Sequence, residues 1–296
     1  MPDSVILILS LLACLLNCTI RKFYTAKWPD TPASRHIINA VNSVTAAVIL
    51  FFWGGISSVS VFTVLLGIAF GVVTALQTVC SLKAYSLGSW AYTTVITSLS
   101  MLIPALSGCL FWQEQLLWPQ IIGIVLLVVC LFLSVEKDEK DKEKKAVSLR
   151  WLLFCAIAFL MGGLIGVMQK VHQSSDYKEE LNAFLVISFA VSFLYSGVCS
   201  LKGMKSEIAL RSKKEWALIL PLLVLGGAGV AVNNKLNLYL SGVMDSAVFF
   251  PVFNGANLIA TMLLAIWLFR ERLSRRQWIG IAIGIVSVIL LCNPFA

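Results

Sequence analysis

Charge is scarce in this chain, and acidic charge inside its apolar runs is missing. Only 13% of the residues are charged, against roughly 25% in an average soluble domain. None of the fifteen acidic residues lies near the middle of an apolar run. Once those runs are set aside, too little sequence remains for a soluble catalytic domain. There are two histidines, His36 and His172, neither in an HExxH pattern, and there is no CxxC or Cys/His cluster. These absences leave no recognisable metal site, no acid/base or nucleophile constellation and no expected cofactor, so an enzyme is not the expected class. The eight cysteines lie mostly inside apolar runs, where they read as small packing residues rather than a disulfide framework. A basic start is also lacking: the chain opens Met-Pro-Asp-Ser, and hydrophobicity continues past Leu11-Leu12-Ala13-Cys14. That stretch therefore reads as a retained first helix, not a lipoprotein cleavage site.

What is abundant is apolar sequence, 59% of the chain. A spanning helix needs about 20 mostly apolar residues. Ten segments qualify, with ends loose by a few residues: 4–20, 36–53, 60–82, 90–112, 118–135, 151–170, 182–201, 216–238, 247–269 and 277–293. Lipid cannot satisfy free backbone groups, so spans must be helices or a closed barrel. Barrel strands would alternate apolar and polar residues, and these segments do not. The expected fold class is an all-α membrane protein with ten transmembrane helices. Trp53, Trp112, Trp118, Trp151, Trp216 and Trp278 stand at or beside predicted helix ends, where an indole prefers the headgroup layer.

One segment occurs twice. Residues 111–124 read FWQEQLLWPQIIGI and residues 268–281 read LFRERLSRRQWIGI. Glu114 matches Glu271, Leu116 matches Leu273, Gln120 matches Gln277, and Ile122-Gly123-Ile124 matches Ile279-Gly280-Ile281. Each copy ends one apolar segment and opens the next. The run EKDEKDKEKK over 136–145 then reads as a solvated linker within 136–150, joining a five-helix repeat at 1–135 to a second at 151–296.

Twenty of the 23 lysines and arginines fall in the loops after the first, third, fifth, seventh and ninth segments. That bias predicts those loops to be cytoplasmic and both termini extracytoplasmic, in a bacterial inner membrane. The same loops account for the net charge of +8, so nucleic acid is not an expected partner. Equivalent loops of the two repeats carry opposite bias. The loop at Glu114 has no basic residue, whereas its counterpart holds Arg270, Arg272, Arg275 and Arg276. Likewise the uncharged 54–58 corresponds to the basic 202–215. Five helices per repeat is an odd number, so the two repeats are expected to insert inverted.

This arrangement, with Glu-x-Leu-x-x-x-Gln-x-Ile-Gly closing the fourth helix and opening the fifth of each half, resembles the drug/metabolite transporter superfamily, EamA-like branch. Lys22 and Lys170 near the ends of the first and sixth helices, and Pro104 ten residues before Glu114, are further matches. The last 45-odd residues, from AVFFPVFNGAN onward, are also similar to the final two helices of small multidrug resistance proteins. The resemblance implies a basket-like bundle with a central substrate cavity and alternating access. Thr261 stands where the second-half equivalent of Pro104 would be, so the halves are not expected to bend alike.

Polar side chains inside spans are costly, which makes them the best candidates for a site. Asn254 and Asn257 lie three residues apart on one helix face, and Asn39 and Asn42 repeat that spacing. Gln77 and Asn234 are equivalent under the repeat, and Asn233 and Asn237 add further amides. Each amide also has a plain reading as glue between helices. Trp90 and Tyr92 are candidates for an aromatic wall, or for interface anchors. Together these residues point to a midplane site lined by the second, third, eighth and ninth helices, with Gly226, Gly227 and Gly229 permitting local bending. Glu114 and Glu271, at helix ends, suit a structural or a gating part, as do Pro104 and Asp245. Lys22 and Lys170 are expected to snorkel to the headgroups.

A transporter of lipophilic cations coupled to protons wants a midplane carboxylate, and this chain has none. The expected cargo is therefore a small neutral, zwitterionic or anionic metabolite. A multidrug or cationic-compound exporter is the alternative, and a channel or membrane-embedded enzyme ranks lower. The partners expected are a small-molecule substrate and the lipid bilayer. A chain holding two repeats can enclose a site as a monomer.

Overall fold

A computed structural model describes residues 2–27, 31–56, 59–87, 90–134, 149–209, 212–269 and 274–292. Among these residues every regular element is a helix. They are α1 (Asp3–Lys27), α2 (Pro32–Gly54), α3 (Val61–Leu87), α4 (Trp90–Ser98), α5 (Leu102–Phe111), α6 (Trp118–Ser134), α7 (Leu149–Gln173), α8 (Leu181–Ala209), α9 (Lys213–Val243), α10 (Ser246–Phe269) and α11 (Arg275–Cys292). A 3₁₀ turn, Leu99–Met101, joins α4 to α5, so those two form one span. Eight helices are long and apolar enough to cross a membrane, and the shorter apolar stretches Val95–Phe111 and Trp118–Leu133 complete the ten. The protein is an all-α integral membrane protein.

The break in the fourth span follows from Pro104. Proline has no N–H to give the carbonyl four residues back, and its ring crowds that carbonyl. The chain tightens into a 3₁₀ turn just ahead of it. At the corresponding place in α10, Thr261 keeps the helix continuous, its hydroxyl donating to the carbonyls of Asn257 and Leu258 at 2.8 Å.

Two compact units are interleaved in the sequence, Met1–Ala75 with Val171–Leu240 and Leu76–Lys170 with Ser241–Ala296. Each takes helices from both halves of the chain. In the first unit α2 lies along α8, whose buried serines recur at four-residue spacing, Ser188, Ser192, Ser196 and Ser200, and the middle two bond to α2. Asn39 Nδ2 donates to Ser196 Oγ at 2.8 Å, and the hydroxyls of Ser43 and Ser192 meet at 3.1 Å. Lipid gives apolar side chains no reason to leave it, so small residues and interhelical hydrogen bonds must hold such a pair. Ser196→Ala is therefore expected to destabilise the protein by about 0.6–2 kcal/mol, read by denaturant titration in detergent. No loss at all would make the stripe a matter of packing alone.

In the second unit α6 lies along α11 through Gly123, whose carbonyl accepts from Ser287 Oγ at 2.6 Å. A methyl group at Gly123 would stand 2.9 Å from Leu291 Cγ, so glycine sets the approach. The duplicated glutamines open this pair. Gln120 Oε1 accepts the N–H of Leu117 at 2.9 Å, and Gln277 Oε1 accepts that of Ser274 at 2.9 Å. Each reaches back to satisfy an N–H that the start of α6 or α11 cannot. The duplicated motif thus repeats a helix start.

Candidate functional site

Helix α10 carries the strongest candidate. Asn254, Asn257 and Thr261 share one face of it and line a cavity of about 120 Å³ in the second unit. Ser98, at the end of α4, and Met101, Leu127 and Leu131 complete much of the wall. The Asn254 amide donates to Phe250 O at 2.8 Å, within its own helix, while the rest of its side chain is exposed. Asn257 differs: its Oδ1 is buried and has no hydrogen-bond partner. A buried amide oxygen left unpaired costs about 1–3 kcal/mol. A ligand that donates to it would recover that cost. Among the described residues no charged one lines the cavity.

The other predicted amides fall elsewhere. In the first unit Asn39 is engaged by the α8 serines. Asn233 Nδ2 donates to Ser10 O at 3.1 Å, and Asn237 Oδ1 accepts from Ser10 Oγ at 2.8 Å, so both tie α9 to α1. Asn234 donates to Val230 O at 2.9 Å inside its own helix. Asn42 Oδ1 is buried without a partner, next to Gly226 and Gly227 of α9. Those glycines and Gly229 serve close approach. A methyl at Gly227 would come within 2.6 Å of Thr45, and one at Gly229 within 2.8 Å of the Ala13 carbonyl. Gln77, in the second unit, donates to Ser81 Oγ at 3.3 Å. Trp90 and Tyr92 lie in α4, but their side chains fall outside the described residues, as do Glu271 and the side chain of Lys22.

Glu114 and Lys170 depart from the expected interface positions. Their side chains are only 5% and 9% exposed and pair at 3.0 Å. Glu114 Oε2 accepts the N–H of Ala247 at 2.9 Å, and Lys170 Nζ donates to the carbonyl of Met244 at 3.1 Å. Lys170 does not snorkel, because a carboxylate from the loop after α5 reaches it inside the unit. Three features mark the backbone around that carboxylate. Gln113 takes a left-handed φ of 56°, Gly108 leaves the space that a side chain would share with Glu114, and Pro104 packs on Gly166 of α7. Asp245 is exposed at the entrance to α10, where its backbone carbonyl accepts from Phe249 N at 2.8 Å.

A family model described as the EamA-like transporter family matches residues 149–293. The second half of the chain is thus similar to the EamA-like transporter family. A solved structure, titled only as the crystal structure of a protein, aligns over 98% of this chain and 98% of its own, with a TM-score of 0.72 at 12% identity. That likeness establishes the fold and nothing finer. No curated protein matches the chain.

Sequence reasoning missed several residues of this chain. Ser10, buried and bonded to two asparagines, looked like any serine of a first helix. Trp151 sits at a helix start as expected, yet its ring is buried and its N–H donates to Thr93 Oγ1 at 3.0 Å. His172 is fully buried beside Phe184, its Nε2 3.5 Å from Thr63 Oγ1. Nearby, Glu180 accepts from Ser60 N at 2.9 Å and Ser60 Oγ at 2.7 Å, and so caps α3. The buried serines of α8 were missed as well, although their four-residue spacing is a signal legible in the sequence.

Proposed function

We propose that this protein is a secondary transporter that moves a small polar metabolite (neutral, zwitterionic or anionic) across the membrane by alternating access. The α10 amide face forms part of its substrate site. The observation that carries this reading is the cavity in which Asn257 presents a buried, unpartnered oxygen. Transporters of this membrane-embedded kind must recognise a polar solute far from water, and amides do so without the desolvation cost of a charge. Among the described residues the wall contains no carboxylate, which weighs against lipophilic cations as cargo. The lysine and arginine bias supports a bacterial inner membrane with both termini outside the cytoplasm.

The test is counterflow in proteoliposomes with labelled amino acids, sugars, nucleotides, polyamines and quaternary amines. Saturable exchange of one class is expected. Asn257→Leu should lower its initial rate roughly tenfold, the equivalent of about one hydrogen bond, with thermal stability retained. Unchanged exchange in that variant would remove Asn257 from the site. Non-saturating flux would point to a channel, and exchange confined to quaternary amines to a cation exporter.

A further inference from the structure

We infer that Glu114 and Lys170 are positioning residues for the α10 amide face, acting through the backbone at the start of that helix. The pair touches α10 and its approach at two points, the N–H of Ala247 and the carbonyl of Met244. These sit on either side of Ser246, itself fully buried with an unpartnered hydroxyl. Ser246 makes no hydrogen bond of its own through that hydroxyl, so the ion pair supplies the polar side-chain ties at this entry. Asn254 and Asn257 follow two to three turns along the same helix. Pro251 lies between them and cannot donate to the Ala247 carbonyl, yet α10 runs unbroken through it from Ser246 to Phe269, so a shift at Ala247 is carried along the helix to the cavity.

The chemistry of a buried pair makes the inference testable. Removing one charge leaves the other buried and uncompensated, whereas removing both leaves a neutral contact. Glu114→Gln retains an oxygen able to accept from Ala247 N–H and deletes only the charge. Lys170→Met deletes the partner. Each alone should therefore displace the start of α10, and Glu114→Gln with Lys170→Met together should restore it.

The inference rests on Asn257 facing the cavity, so the reporter is placed there and needs no substrate. In full-length protein carrying Asn257→Cys, alkylation by N-ethylmaleimide is followed by mass spectrometry on the peptide that holds position 257. Native Cys130, buried against Gly284 of α11, is the internal control in the same sample. Each single variant is expected to raise the rate at position 257 at least about tenfold, and the double variant to return it to within about threefold of the parent. Cys130 should stay slow throughout. Three results would overturn the inference: unchanged rates in both single variants, a double variant as reactive as the singles, or Cys130 accelerating in parallel, which would mean the pair holds the whole unit. If Lys170→Met does not fold, Glu114→Gln alone and with Lys170→Met decides the matter by the same criteria. None of these outcomes bears on the transport reading, which counterflow tests separately.

Discussion

Lys170→Met should destabilise the folded protein by about 3 kcal/mol, at the lower end of the 3–5 kcal/mol typical of breaking a buried ion pair. With both side chains under a tenth exposed, solvent does little to screen the charge left behind. The lower end applies because Glu114 would still accept from Ala247 N–H. Against that, the Met244 carbonyl loses its donor as well. Glu114→Gln combined with Lys170→Met should recover most of the loss, since two neutral side chains of similar length carry no desolvation debt. Reversible unfolding in mixed micelles measures both. A single variant that costs under about 1 kcal/mol would put the pair in the class of solvated surface ion pairs.

Gly71→Val is expected to cost about 3 kcal/mol, the upper range for overpacking a tight contact. A Cβ at Gly71 would stand 2.7 Å from Val191 Cβ and 2.8 Å from the carbonyl oxygen of Ser188. The second of these is backbone of α8 and cannot rotate aside. Relief requires α3 to back away, which also strains the bond from Ser188 Oγ to Gly67 O, now 3.1 Å. Gly197, on the same α8, has nothing within 4 Å of where its Cβ would be. Gly197→Val should therefore be near neutral, since valine costs a helix no more than glycine does. Equal losses at the two positions would show that the Gly71 effect does not arise from its close contact with α8.

The ten spans were legible because crossing a membrane is a local requirement, length and apolarity, that each segment carries by itself. Helix starts were legible in part. The duplicated Gln120 and Gln277 marked the right places, although their work as caps emerges only when the backbone N–H three residues earlier is seen to be short of a partner. The break at Pro104 and the continuity at Thr261 likewise follow from one residue's covalent chemistry.

The site was legible only as a set of candidates. Asn39 and Asn42 share their spacing with Asn254 and Asn257, and nothing in that spacing separates them. Asn39 meets the serines of α8 and becomes part of a helix contact, while Asn257 meets Met101, Leu127 and Leu131 across a cavity and keeps an unsatisfied oxygen. Lys170 tells the same story with charge. A lysine near a helix end snorkels by default, and only folding brings Glu114 to it. By itself the sequence determined what a single segment can settle: membrane class, helix count, helix starts and the lack of an acidic residue near the middle of any apolar run. The tertiary structure alone decided which polar groups bind each other and which face open space, because hydrogen-bond satisfaction is a property of neighbours.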